Sequence, residues 1–205
     1  MEKLGAGMTR LLLAIVAVGL LTVASARPCA SGQGATGRPG APGDARHLDF
    51  QNFTYKSGDE DIHVARGRGT YKTYGGTASS YAIERVKAVY GDLDGDGGDE
   101  AAVVLYFTGG GSGSFSKGFL FAARKRRLTL LATFEGGDRA DGGIRGVAIE
   151  DGFLSVERNE PERMNGVPVG LCCPVYAVTT MYRWDGKKLV RAGEARKVDA
   201  AQSRW

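Results

Sequence analysis

The stretch Ala101–Phe107, which reads AAVVLYF, decides the fold class. Every position in it is apolar, as expected for a central strand that is covered on both faces. Ile83–Tyr90, before it, is a second good strand candidate, and Phe53–Tyr55 and Ile62–Ala65 are weaker ones. No segment beyond the N-terminal region keeps a 3.6-residue apolar period for three turns, so the pattern indicates a mainly β domain.

Several hairpins extend this pattern towards the C-terminus. Glu150–Gly152 separates two short apolar runs, and Asp-Gly in that position favours a tight turn. The basic cluster Arg124–Arg127 lies between two strand candidates and is interpreted as a solvated hairpin tip. Tyr176–Trp184 places large side chains at every second position, and Asp185-Gly186 turns it back. We expect a single domain of about eight or nine mostly antiparallel strands in hairpins.

The N-terminal region predicts export. Lys3 and Arg10 precede an uncharged apolar run, Leu11–Val23, which ends in the small residues Ala24-Ser25-Ala26. These are the three parts of a cleavable signal peptide over residues 1–26, and the run is shorter than the about 20 apolar residues of a membrane-spanning helix. A secreted or periplasmic protein is therefore expected, and not an integral membrane protein after cleavage. Lipid attachment at Cys29 is the alternative, although Arg27-Pro28 departs from a lipoprotein signal.

The remaining organisation is simple. Residues 27–47 are rich in Gly and Pro and predict a flexible linker, 48–195 form the β-rich domain, and 196–205 form a C-terminal tail. A formal net charge of +4 for the whole chain is too balanced to indicate nucleic-acid binding. The glycine-rich segment 108–114 lacks the Gly-Lys-Ser/Thr of a phosphate-binding loop, so nucleotide binding is not expected either.

The segment Gly91–Glu100, GDLDGDGGDE, carries the strongest chemical signal. Carboxylates at alternating positions followed by glycine are typical of a loop that curls around calcium, an ion that binds six to eight oxygens. The predicted side-chain ligands are Asp92, Asp94 and Asp96. The carbonyl of Gly98 is expected to add a backbone oxygen, and either Asp99 or Glu100 is expected to complete the coordination. An acidic turn without an ion is the alternative, but carboxylates so aligned would repel one another.

This loop resembles the aspartate loop of integrin-type (FG-GAP or VCBS) propeller blades, in which Glu100 would hold the last acidic position. It is not an EF-hand, because the twelfth position counted from Asp92 is Val103. A propeller needs several copies of the repeat. Here the motif occurs once, so the resemblance implies a metal loop and not a propeller.

A wider resemblance joins Gly91–Leu105, the turn Gly110–Phe115 and the element Cys172–Pro174. This order is similar to that in a group of uncharacterised bacterial exported proteins and lipoproteins, over about Phe53–Val190. The resemblance implies a location in the cell envelope or outside the cell, and it implies no activity.

The cysteines leave three arrangements open. Cys172 and Cys173 could bond to each other, although neighbouring Cα atoms lie closer than in most disulfides. Cys29 could instead bond to either of them, or all three could stay reduced or bond between molecules. Oxidation is favoured outside the cytoplasm.

The sequence favours a noncatalytic, calcium-stabilised binding or structural module of the cell envelope. Its partner is open, with an envelope glycan or another protein as candidates. The alternative is an envelope-directed hydrolase that uses paired carboxylates, such as Asp138 with Asp141 or Glu157 with Glu160.

Overall fold

The described part of the chain folds as a mainly β domain, which confirms the predicted fold class. The computed structural model describes residues 44–205 except 59, 74–78, 111–112, 125–126, 139–142 and 170–173. These residues form fourteen strands: β1 Phe53–Ser57, β2 Glu60–Ala65, β3 Arg68–Thr73, β4 Ser79–Gly91, β5 Glu100–Gly110, β6 Gly113–Arg124, β7 Arg127–Asp138, β8 Ile144–Glu150, β9 Phe153–Glu160, β10 Glu162–Met164, β11 Val167–Val169, β12 Tyr176–Trp184, β13 Leu189–Arg191 and β14 Arg196–Asp199. The predicted signal peptide and Cys29 lie outside the described residues.

Strands β1 to β7 form one antiparallel sheet in which every strand pairs with its neighbours in sequence. Strand β5 lies inside this sheet, between β4 and β6. Val103 and Leu105 point into one hydrophobic cluster, whereas Ala102 and Val104 point into another. The AAVVLYF stretch is therefore a strand that is covered on both faces, as predicted, because side chains alternate along a strand.

The sheet curls, so that its first strand covers one face of its sixth. The ring of Tyr55 on β1 lies 5.1 Å from that of Phe119 on β6, and the rings of Phe53 and Phe121 are 5.5 Å apart. These aromatic side chains bury a large apolar area, which makes this cluster the inner core of the curled sheet.

A second sheet covers the outer face of the first one. Its strand order is β13-β12-β9-β8, and β14 pairs with β12 beside β13. Val147 on β8 and Leu154 and Val156 on β9 face the first sheet and join the second cluster. The alternate residues of β9, including Ser155 and Glu157, therefore face away from this core.

Most of the turn predictions are confirmed. Asp151 and Gly152, with φ of 52° and 76°, join β8 to β9. Arg124 pairs with Arg127 at the end of the β6–β7 hairpin. Strands β1 and β2 match the two weaker candidates in the sequence.

The strand count exceeds the expected eight or nine, because short strands were missed. The hairpin of β10 and β11 turns at Asn165-Gly166, both with positive φ. Asn-Gly is a strong hairpin signal that the sequence already contained.

Both ends of the predicted domain carry additional structure. Ala45–His47, at the end of the predicted linker, forms a short 3-10 turn capped by Asp44, and Ala45 is fully buried. The predicted tail contains β14 and a second 3-10 turn, Ala200–Gln202. Within the described part of the chain, no helix has the length and apolar character required to cross a membrane.

Candidate metal site

The aspartate loop connects β4 to β5, two long adjacent strands of the curled sheet. Gly95 and Gly97 adopt φ of 82° and 85°, a conformation that side chains with a Cβ rarely tolerate. Their N–H groups donate to the two carboxylate oxygens of Asp92, at 2.7 and 3.0 Å. The glycines thus let the backbone curl around the first aspartate.

Glu100, the first residue of β5, lies at the end of the loop and contacts its backbone. Only 2% of its surface is exposed. One of its oxygens, Oε2, accepts hydrogen bonds from the N–H groups of Leu93 at 2.9 Å and Asp94 at 3.3 Å. Leu93 is itself buried in the cluster between the two sheets, so the loop is attached to the core at this point.

Three of the predicted ligands converge. Asp92, Asp94 and Glu100 each offer a carboxylate oxygen, and these three oxygens all lie within 4.8 Å of one another. Oxygens that share one calcium ion lie about 2.3 to 2.6 Å from it, so their separation cannot exceed about 5 Å. The arrangement is therefore compatible with a single ion that contacts all three side chains.

The other predicted ligands lie outside this group of three. The Asp96 side chain is exposed and accepts the N–H of Gly98 at 2.8 Å. The Asp99 carboxylate pairs with Arg46. Of the two candidates for the closing acid, Glu100 joins the group and Asp99 contacts the 3-10 turn instead.

The electrostatics of the loop show an excess of negative charge. The pKa of Glu100 is raised from its ordinary 4.5 to about 7. Burial is the main cause, and the charges of Asp94 and Asp96 add to it, while the two amide hydrogen bonds act in the opposite direction. Arg124 pairs with Asp94, but its side chain is 46% exposed against 11% for Asp94. An exposed guanidinium can move away, so it competes only weakly with a bound cation.

The loop is also attached to the first turn of the domain. Besides the pairing of Arg46 with Asp99, the N–H of Ala45 donates to the Asp99 carbonyl at 2.9 Å. The Arg46 guanidinium lies 5.3 Å from the centre of the Tyr90 ring. The last acidic position before β5 is therefore used to hold the N-terminal turn.

Sequence reasoning missed both arginine partners. Arg46 falls inside the predicted linker, and Arg124 belongs to the basic run interpreted as a solvated hairpin tip. Arg124 reaches Asp94 because β6 pairs with β5 and returns towards the loop end of the sheet. No local pattern encodes a contact that spans 30 residues in this way.

Of the two carboxylate pairs of the hydrolase alternative, the structure describes Glu157 and Glu160, and it does not bring them together. Glu157 and Glu160 lie three residues apart on β9 and therefore on opposite faces of the sheet. Glu157 contacts Thr179, whereas Glu160 pairs with Lys197. This pair was wrong as an acid and base that act together. Asp141, Cys172 and Cys173 lie outside the described residues, as does the side chain of Asp138.

Comparisons of the chain with protein-family models, with curated proteins and with solved structures found no match.

Proposed function

We propose that this protein is an exported, noncatalytic binding or structural module of the cell envelope whose aspartate loop is stabilised by calcium. One observation carries the metal assignment. The oxygens of Asp92, Asp94 and Glu100 converge within 4.8 Å around a buried carboxylate that burial alone makes costly to ionise.

Calcium fits this donor set better than a transition metal does. All three converging side chains are carboxylates, and hard oxygen donors favour calcium, magnesium or manganese over zinc or copper. The loop adds flexibility through Gly95 and Gly97, which suits the variable coordination of calcium more than the strict octahedron of magnesium.

The ion would act as a staple. It would neutralise part of the acidic excess and so hold β4, β5 and the buried Leu93 in their observed arrangement. Extracellular calcium modules bind weakly, in a medium where calcium is abundant, which agrees with the predicted export.

The module interpretation rests on the location of the acids. Glu157 accepts hydrogen bonds from Thr179 and Ser203, and Glu160 pairs with Lys197, so both acids have partners within the chain. Their location on opposite faces of β9 favours the module over the hydrolase alternative. An envelope glycan or another protein remains the partner class for the module.

Thermal unfolding tests the staple. Calcium at about 100 times its dissociation constant should stabilise the wild type by about 2.7 kcal/mol, which corresponds to an increase in Tm of about 5 to 10 °C for a chain of this size. Asp94→Asn should lose most of this increase, because it removes one converging carboxylate while keeping the side-chain shape. The measurement is the Tm with calcium and with excess chelator.

Asp151→Asn is the matched control, because Asp151 is an exposed aspartate in another Asp-Gly turn. It should keep the full calcium response. A wild-type Tm that is equal with calcium and with chelator would exclude the staple.

A further inference from the structure

The outward face of the second sheet carries a cleft of about 300 Å³. Ser155 and Glu157 of β9 and Thr179 and Met181 of β12 lie side by side on this face and contribute to its lining. Residues 202–205 also line it and form a wall along the cleft. The volume is at the lower end of the range for small-molecule sites.

The wall is held in place by a polar network. Arg145 on β8 donates to the carbonyl of Ala200 at 2.8 Å and to the main-chain oxygen of Trp205 at 3.0 and 3.1 Å. Ser203 donates its hydroxyl to Glu157. A Cβ on Gly146 would lie 2.2 Å from the Trp205 ring, so the glycine creates the space in which the ring packs. The cleft is thus formed before any ligand arrives.

The floor of the cleft contains a buried carboxylate. Glu157 is 3% exposed and accepts the Thr179 hydroxyl at 3.0 Å, and its charge faces Arg145 at 3.5 Å. Glu157 points away from the apolar cluster between the sheets, because Leu154 and Val156 occupy that side of β9. Burial of a charge here contributes nothing to apolar packing. Because both oxygens of Glu157 accept from hydroxyls of the chain, Glu157 holds the floor and the wall of the cleft together.

The charges around the cleft are close to balance. Glu150 and Arg204 neutralise each other through two hydrogen bonds of 2.9 and 3.1 Å. Glu194 and Arg196 add one charge of each sign. Such a lining does not favour a strongly anionic or cationic ligand. Met181, which is 40% exposed, supplies apolar surface.

We propose that this cleft binds a neutral, polyhydroxylated ligand of monosaccharide size. Glu194 and Arg196 are exposed at the cleft. A hydroxyl group both donates and accepts, so one ligand hydroxyl can donate to Glu194 and another can accept from Arg196 without carrying charge. The exposed apolar surface of Met181 suits the C–H face of a sugar ring. The inference deepens the binding role proposed above, and it is independent of the calcium staple.

Tryptophan fluorescence provides the test. The chain has two tryptophans, Trp184 against the core between the sheets and Trp205 at the cleft. A Trp184→Phe background leaves Trp205 as the reporter. Glucose, galactose and N-acetylglucosamine are titrated to about 100 mM, since small ligands in shallow sites bind weakly. Glycine and inorganic phosphate are titrated as zwitterionic and anionic probes.

We expect a saturable change in Trp205 emission with at least one sugar and none with glycine or phosphate. Arg196→Ala should weaken that response at least tenfold. Lys197→Ala, a neighbouring basic residue on the opposite face of β14, should leave it unchanged. The Tm of each variant establishes that it is folded.

Three outcomes would overturn the proposal: no sugar response from folded protein, a response to glycine or phosphate alone, or equal losses in Arg196→Ala and Lys197→Ala. The two proposals fail separately. A calcium effect on Tm without a sugar response would support the calcium staple and exclude sugar binding in the cleft. A sugar response without a calcium effect would support sugar binding and exclude the staple.

Discussion

The aspartate loop and the Arg145–Glu157 network both bury a carboxylate, but they compensate for its charge differently. Glu157 has an arginine at 3.5 Å and two hydroxyl donors from the chain itself. Glu100 has two backbone N–H donors and lies among further acids. The Glu157 site contains its own counter-charge. The Glu100 site has fewer positive than negative charges, and an external cation would balance them.

The comparison shows that burial of an acid alone does not indicate a metal. What separates the two sites is the number of acids relative to cations. Arg145 belongs to the same sheet as Glu157 and is itself largely buried, whereas Arg124 contacts the loop from an exposed position. The predicted responses to mutation differ accordingly.

The largest expected loss of stability comes from a substitution in the Arg145–Glu157 network. Arg145→Ala leaves the Glu157 charge buried without its cation and removes the bonds to Ala200 and Trp205. Breaking a buried ion pair costs about 3 to 5 kcal/mol, so we expect the free energy of unfolding to fall by about 3 kcal/mol in urea titrations.

Arg158→Ala is the control for that measurement. Arg158 is on β9 and donates to the Glu135 carbonyl at 2.8 Å, and loss of this described hydrogen bond should cost about 1 kcal/mol. Calcium should not restore the stability of Arg145→Ala. Equal losses in the two variants would contradict the role of the network.

The next largest expected effect is the dependence of stability on pH through Glu100 in the aspartate loop. The pKa of Glu100 is about 7 in the folded protein and 4.5 without the environment of the fold, so the folded state binds the extra proton between these values. In chelator, this contribution to stability is full below about pH 4.5, falls as the pH rises, and is lost above about 7. One pKa unit corresponds to about 1.4 kcal/mol, which limits the loss to about 3 kcal/mol.

Urea unfolding of the wild type and of Glu100→Gln at pH 5 and pH 8 measures this difference. The wild type should lose more stability towards pH 8 than the variant does. With calcium the trend should reverse, since the ion binds the ionised carboxylate. Identical pH profiles for the two proteins would show that Glu100 does not titrate in this range.

The smallest expected effect on stability is that of the exposed cation at the loop. Arg124→Gln removes an ion pair that is half exposed, at a cost below about 1 kcal/mol. Because Arg124 competes for Asp94, calcium affinity should rise severalfold in titration calorimetry. A lower affinity would mean that Arg124 positions Asp94 for the ion and does not compete with it.

Much of the fold could be predicted from local patterns. A continuous apolar run predicted the core strand AAVVLYF. Turn residues between strand candidates predicted the Asp151-Gly152 turn and the β6–β7 hairpin, because each of these features depends on neighbouring residues. The spacing of Asp92 and Asp94 likewise predicted their convergence.

Contacts between distant segments could not be predicted in this way. Ser203 meets Glu157 across 46 residues, and Arg145 meets Trp205 across 60. Asp96 and Asp99 fit the loop pattern as well as Asp94 does, but contacts with Gly98 and Arg46 set their orientation. The cleft likewise depends on the return of residues 196–205 to the second sheet, which their composition does not reveal.

The strand order of the first sheet has a consequence for folding kinetics. All six of its pairings join consecutive strands, so each ladder can grow from the hairpin beside it with a short loop to close. The second sheet needs β12 to find β9 and then β14 to return to β12. Since non-local pairing slows folding, we expect the curled sheet to form first and the wall of the cleft to be completed last.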